Sequence, residues 1–245
     1  MGLYAPDLRC HGQSRIFSNR SQEDPSCSMQ DYAQDLLTSL GETGFYPCWI
    51  VGHSMGARVS VAMAMLRPEW VRGLILVDHP VVSPAQGGEF RSRFGKFLKE
   101  LPEDFSSKDT GLRYLRDHCP DPTSINILST SLVSSPDGKV HFDFDHQGIL
   151  RTFEALPSYP YSEQLELFGA QKKPVMVLRG SQSPFWSEED WDRAREIFES
   201  FPSFEFFQID QAGHAPHHET PEVFLKMLLD FIQRHGPAPH GNNLF

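Results

Sequence analysis

A doubly wound α/β fold with a mostly parallel sheet and a mainly helical insertion is expected for this chain of 245 residues. Short apolar runs alternate with amphipathic helical stretches at both ends of the sequence, as strand–helix–strand units do. Between residues 80 and 173 that alternation lapses into short pieces of another pattern, which is most simply a segment inserted after the second strand.

In order along the chain, Ser28-Met-Gln-Asp31 has the spacing of a capping box, and Tyr32, Leu36, Leu37 and Leu40 follow at helical spacing. A helix is therefore expected over about 29–43. Residues 48–51 read as a short buried strand, 55–66 as a helix closed by Pro68, and 73–77 as a second apolar strand ending at Asp78. Strand, helix and strand in succession imply a right-handed parallel crossover. Further on, 174–178 is a third strand and 188–199 a helix with Trp191, Ala194, Ile197 and Phe198 on one face. A fourth strand covers 204–209. The last helix starts at Thr220-Pro221, read as N-cap and first helical residue, and shows Val223, Phe224, Met227, Leu228, Phe231 and Ile232 on its apolar face.

Within the insertion, Phe90, Phe94, Phe97, Leu98 and Leu101 make one amphipathic helix, and Ile125, Leu128 and Leu132 another. Val140, Phe142 and Phe144 alternate like a strand after the turn Pro136-Asp-Gly138. The chain thus divides into a core of 1–79 and 174–235, a cap insertion of 80–173 and a frayed tail of 236–245. The insertion's phenylalanines serve first as its own core; a cap over the rest of the chain would also wall a site with apolar surface.

Composition narrows the function classes. Asp and Glu number 32 against 22 Lys and Arg, a net charge of -10, so neither nucleic acid nor an anionic membrane is an expected partner. The four cysteines, at 10, 27, 48 and 119, show no C-x-x-C pairing and read as free thiols of an intracellular protein. No apolar run reaches the roughly 18–20 residues of a transmembrane segment, and residues 1–20 lack the charged and apolar regions of a secretory signal.

The chemistry concentrates at Gly52-His53-Ser54-Met55-Gly56, which directly follows the first strand and opens the next helix. This is the G-x-S-x-G pattern in strand–turn–helix context. A serine on so sharp a turn crowds the residues two positions away, which accounts for Gly52 and Gly56. The turn lifts the Ser54 hydroxyl, and the Met55 amide points where an oxyanion would form. A serine hydroxyl is a weak nucleophile until a base takes its proton. His214, after the fourth strand and before the last helix, stands where an imidazole can reach that serine. The pattern His214-x-x-His217-His218 also raises a metal site, but no carboxylate or cysteine at zinc spacing supports it; neither metal nor cofactor is called for. For the acid, the loop after the third strand has no carboxylate before Glu188, Glu189 and Asp190, which read as a helix's first turn. Asp78, one residue beyond the second strand, is the better candidate.

These residues together resemble the α/β-hydrolase superfamily, and more closely its small serine esterases, comprising a bacterial acyl-CoA and palmitoyl-ester hydrolase and α/β-hydrolase-domain proteins often mitochondrial. The resemblance rests on Asp7-Leu-Arg9-Cys-His11-Gly12-Gln-Ser14, similar to a D-x-R-x-H-G-x-S turn, on Gly52 to Gly56, on Leu-Val-Asp78, on Leu-Arg-Gly-Ser-Gln-Ser183-Pro-Phe185 and on Ala-Gly-His214. The stretch from Leu132 to Phe144 is similar as well. It implies an acid at Asp78, a serine (Ser183) where other members carry aspartate, and a cytoplasmic or mitochondrial location; Asp7, Arg9, His11 and Gly12 are read as turn scaffolding. This chain has Asp78-His79-Pro80 where the group reads Asp-x-x-Pro. It also opens within what the resemblance makes the fourth strand, with Leu3-Tyr4-Ala5 as a remnant. The expectation is an α/β-hydrolase fold lacking its first strands and the His-Gly loop that supplies a second oxyanion amide, a truncated form of a longer enzyme. One such donor is worth roughly 100- to 1000-fold in rate.

The leading expectation is a serine hydrolase that cleaves a small acyl ester or thioester through an acyl-enzyme on Ser54, with His214 as base and Asp78 as acid. Two alternatives stand beside it: carbon–carbon bond hydrolysis by the same triad, and a catalytically weak binding or partner protein.

Overall fold

The computed structural model describes residues 2–14, 26–82 and 87–236. The tail expected beyond Gly236 and the side chain of Phe90 lie outside the described residues. In chain order the elements are α1 (Met29–Thr43), β1 (Cys48–His53), α2 (Met55–Leu66), β2 (Val71–Val77), α3 (Gly87–Lys99), α4 (Lys108–His118), α5 (Pro122–Thr130), β3 (Leu132–Ser134), β4 (Val140–Phe142), α6 (His146–Ala155), α7 (Tyr161–Gly169), β5 (Val175–Gly180), α8 (Glu188–Phe198), β6 (Phe204–Ile209), α9 (Pro216–Glu219) and α10 (Pro221–His235). They form two compact units, Met1–Thr43 with Gln86–Pro160, and Gly44–Ala85 with Tyr161–Phe245. The sequence put the inserted segment at 80–173, whereas α7 groups with the second unit, because it packs on α2 and its Ser162 hydroxyl donates to the Val81 carbonyl (2.8 Å).

In the first unit, α1 is opened by the expected capping box: the Ser28 amide donates to the Asp31 carboxylate (2.9 Å) and the Asp31 amide to the Ser28 hydroxyl (3.3 Å). Its buried face is Met29, Tyr32, Ala33, Leu37 and Leu40. Helices α3 and α6 pack through stacked Phe94 and Phe153, 5.4 Å apart. The turn at 136–138 joins β3 and β4, with Leu132 opposite Phe142. Leu132 is therefore a strand residue, not the end of a helix begun at Ile125; α5 stops at Thr130 because Leu132 takes a cross-strand partner instead. Helices α4 and α6, which the sequence reading did not place, each open on a side-chain cap. Ser107 accepts the Thr110 amide, and Asp145 accepts the amides of Gln147 and Gly148. The residues read as turn scaffolding make turn contacts. The Gln13 amide donates to Asp7 (3.0 Å), Arg9 grips Asp35 through two hydrogen bonds (2.7 and 2.8 Å), and the His11 Nδ1–H donates to the Arg9 carbonyl (2.9 Å). Leu3, Tyr4 and Ala5 belong to no strand: Leu3 is exposed, and no described strand offers them a ladder.

The second unit is built on a four-stranded, fully parallel sheet of order β1-β2-β5-β6. The two central strands are apolar on both faces: Leu74, Ile75, Leu76 and Val77, like Val175 to Leu178, have essentially no exposed surface. On one face Ile75, Val77, Met176, Leu178 and Ile209 form a cluster with Phe231 of α10, against which Trp49 and Phe207 set their ring edges. On the other, α8 stacks Phe198 on Phe204 (4.5 Å) and sets Trp191 edge-on to Phe206, and α2 packs on β1 and β2. Helices on both faces make the unit doubly wound, as expected. Thr220 does sit at the N-cap of α10, with Pro221 at the first helical position, but its hydroxyl caps nothing; it donates back to the Pro216 carbonyl (3.0 Å) because the short helix α9 immediately precedes it. No helix among the described residues is long and apolar enough to cross a membrane.

Candidate active site

All three residues proposed from sequence for the catalytic triad lie in the second unit, at the carboxyl ends of its strands. Ser54 follows β1 on a strained turn with φ 53° and ψ -120°, a backbone conformation that L-residues rarely adopt. Its amide is held by the carbonyl of Val77 on the neighbouring strand (2.9 Å). The turn forces glycine at 52, where a Cβ would run into the Gly56 carbonyl and the Ser60 hydroxyl. At Gly56 the expected crowding is absent: a Cβ there meets nothing within 4 Å, since α2 carries that position outward from the turn.

Asp78 follows β2 at φ 50° and is fully buried. Three donors converge on its side chain: the Gly180 amide (3.0 Å), the Ser183 hydroxyl (2.5 Å) and His214 Nδ1 (2.7 Å). Such a carboxylate accepts only, so the imidazole carries its proton on Nδ1 and presents a lone pair at Nε2. That lone pair faces the Ser54 hydroxyl at 3.1 Å. The structure therefore brings Ser54, His214 and Asp78 into one hydrogen-bonded chain. It takes the competing carboxylates elsewhere: Glu188 pairs with Arg179, and Asp190 with Arg193. Gly180 permits the approach, because a Cβ there would strike the carbonyls of Ala212 and Gly213 on the loop that bears the histidine.

The loop around His214 is braced by further groups, of which Glu219 was not singled out from the sequence. Glu219, in the first turn after the loop, accepts the amides of both Gly213 and Ala215 (the latter at 2.9 Å), the residues on either side of His214. Phe185 lies against the imidazole with ring centroids 4.1 Å apart. His53, named as part of the elbow, donates from Nε2 to the His214 backbone carbonyl (2.7 Å) and packs between the rings of His214 and His217. Burial, with the adjacent His214 adding to it, pushes the His53 pKa down to about 3, so its ring stays neutral and can hold that donor geometry. Burial, then the neighbouring His218 and His214, pushes His217 down to about 4. Among the described residues no group of three or more His, Cys, Asp or Glu is arranged to hold a metal ion. The G-x-x-x-x-x-E relation between Gly213 and Glu219 has no general motif, and only the folded loop reveals it.

Beyond Asp78 the chain is tied to the helix that follows the elbow. Arg58 of α2 donates from Nε to His79 Nε2 (2.9 Å), its guanidinium lies 5.0 Å from the Tyr161 ring centre, and His79 meets the same ring edge-on. Burial, with the adjacent Arg58 charge, keeps His79 well below the usual imidazole range and so an acceptor.

A serine on a strand–helix elbow, a carboxylate after the adjacent strand and a histidine after the last strand are a combination of position and chemistry that a sequence profile can test. The profile of the Alpha/beta hydrolase family matches residues 2–227. The chain belongs to the alpha/beta hydrolase family. Among relatives of this hydrolase, the sn-1-specific diacylglycerol lipase ABHD11 of Mus musculus is 25% identical over 92% of this chain and 70% of its own. Esterase YbfF of Escherichia coli is 24% identical over 92% and 80%. A solved structure of E-2-(acetamidomethylene)succinate hydrolase has a TM-score of 0.71 at 23% identity, covering 93% of this chain and 80% of that one, and that likeness concerns the fold.

Proposed function

We propose that this hydrolase cleaves carboxylic esters or thioesters through an acyl-enzyme on Ser54. The observation that carries the reading is the unbroken chain from the Ser54 hydroxyl to His214 Nε2 and from His214 Nδ1 to Asp78. Each role follows from it. His214 takes the hydroxyl proton as the oxygen attacks the substrate carbonyl, Asp78 stabilises the imidazolium, and His214 returns the proton to the leaving alcohol or thiol. The developing oxyanion takes a hydrogen bond from the Met55 amide, which at the first position of α2 has no acceptor four residues earlier in its own helix. Water, activated by the same histidine, then releases the acid. The esterase and lipase names of the relatives support the substrate class. On the same reading the segment inserted after β2, 80–173 by sequence, is a cap domain, and no cofactor takes part.

A fluorophosphonate probe tests this directly, because it phosphonylates only a serine activated by a base. Labelling of the folded protein that is lost in Ser54→Ala supports the reading. Folded protein that resists the probe, or that labels equally in Ser54→Ala, overturns it and favours the non-catalytic binding alternative.

A further inference from the structure

Away from that site, in the first unit, two cysteines 17 positions apart in sequence come together. Cys10, in the turn that precedes α1, and Cys27, two residues before α1, are both buried, with their sulfurs 3.9 Å apart and a hydrogen bond shared between them. The pair is built in rather than loosely placed. A Cβ on Gly148 of α6 would strike the Cys10 sulfur, and the Asp145 amide that opens α6 donates to the Cys10 carbonyl (2.7 Å). Ser26, beside Cys27, is exposed.

We propose that Cys10 and Cys27 form an oxidisable dithiol site whose substrate is hydrogen peroxide and whose product is an intrachain disulfide. The two thiols are unequal. The hydrogen bond from Cys10, with Arg151 and Thr152 nearby, outweighs burial and lowers the Cys27 pKa, while the same bond and burial raise that of Cys10. One proton is thus shared in favour of a Cys27 thiolate, the form that attacks peroxide. The thiolate sulfur bonds to one peroxide oxygen, the O–O bond breaks, and the departing hydroxide takes a proton to become water. Cys27 is now a sulfenic acid. The Cys10 sulfur then attacks the Cys27 sulfur, the S–O bond breaks, and the hydroxide leaves with the Cys10 proton as a second water. Two thiols have been oxidised by two electrons in total and one peroxide reduced by two. The sulfurs must close from 3.9 Å to the roughly 2.05 Å of a disulfide. The other two cysteines provide an internal control, because Cys48 and Cys119 are half-buried and burial raises both of their pKa values.

The test is a time course of the full chain with hydrogen peroxide at neutral pH, read by intact mass and by peptide mapping without reductant. The expected result is an early species lighter by about 2 Da that maps to a Cys10–Cys27 cross-link and is reversed by dithiothreitol, with Cys48 and Cys119 still alkylatable. In Cys10→Ser the loss of mass should vanish and dimedone should trap a sulfenic acid on Cys27; the wild-type map stands by itself if that variant does not fold. Mass gains of 16 or 32 Da (about one or two oxygens) with no cross-link, or oxidation of Cys48 or Cys119 ahead of the pair, overturn the proposal. None of these readouts depends on ester hydrolysis.

Discussion

Replacing Asp78 by asparagine isolates its proposed role as the acid, because the substitution keeps shape and changes only which atoms donate. Of the three donors on the Asp78 side chain, the Gly180 amide can be met only by an acceptor, so the oxygen of the new carboxamide must turn toward it. The carboxamide nitrogen then faces the Ser183 hydroxyl and His214, where it brings hydrogens to positions that need lone pairs. His214 can answer only by offering the Nδ1 lone pair, which moves its proton to Nε2 and points a donor at Ser54. The base is then in the wrong tautomer, a defect worth about 10,000-fold in turnover, or about 5.5 kcal/mol of transition-state stabilisation. Initial rates on a p-nitrophenyl ester and the second-order rate of fluorophosphonate labelling should fall together, while the thermal midpoint changes little. A carboxylate at 183 can replace the lost one, because the Ser183 oxygen is 2.5 Å from the Asp78 oxygen that contacts His214. Adding Ser183→Asp to Asp78→Asn should therefore recover roughly 100-fold or more of the loss, about 2.7 kcal/mol. Activity of Asp78→Asn within tenfold of the parent, or an equal loss in Asp190→Asn, would refute the assignment of the acid.

Other consequences are equally specific. Gly52→Ala, whose methyl group collides with the Gly56 carbonyl and the Ser60 hydroxyl, should lose about 1–3 kcal/mol of stability in urea melts and its probe labelling, whereas Gly56→Ala should retain both. His53 has its pKa lowered in the folded state, so below the unfolded value of about 6.5 the unfolded chain binds a proton that the folded one refuses. Stability is then fully present above pH 6.5 and declines as pH falls toward 3, by about 1 kcal/mol per pH unit from this ring. Urea melts between pH 7.5 and 4.5 should show a shallower decline in His53→Gln, which still donates to the His214 carbonyl; an unchanged slope would exclude His53 as the source. Arg58→Met and His79→Leu should each lower turnover about tenfold, with the double variant no worse than either, since both break one tie between the acid loop and α2. Strict additivity would show that the two residues act separately.

What the sequence made legible follows from which signals are local. The helix over 29–43 and the strand over 204–209 coincide with α1 and β6, because a capping box and an apolar run act over a few neighbouring residues. The elbow was legible for the same reason, as a pentapeptide between two recognisable elements. The choice of Asp78 as candidate acid required elimination, since by itself it is only a carboxylate after a strand, and its three donors come from positions 180, 183 and 214. Glu219 and Arg58 were missed because the atoms they hold belong to a loop and a turn whose shapes no short pattern encodes. Leu132 was misread for a related reason: a spacing of three then four fits a helix face, but a cross-strand partner at Phe142 decides its state.

The strained backbone explains why these long-range ties gather where they do. Ser54 and Asp78 are both non-glycine residues at positive φ, and they follow adjacent strands whose last residues, His53 and Val77, are register partners. Each such conformation costs about 1–3 kcal/mol. The Ser54 amide bonds to the Val77 carbonyl and the Asp78 amide to the Leu178 carbonyl (2.7 Å), so the ladder of β1, β2 and β5 continues one residue past each strand and fixes both turns. The buried apolar strands that make the sheet rigid thus set the separation of the Ser54 and Asp78 side chains. The histidine, on a loop with no such ladder, needs Glu219 on both of its flanks and His53 on its carbonyl. Strain at the strand ends and bracing at the loop are two solutions to one requirement of the proposed mechanism: three side chains from distant parts of the chain must meet within hydrogen-bonding distance before any substrate arrives.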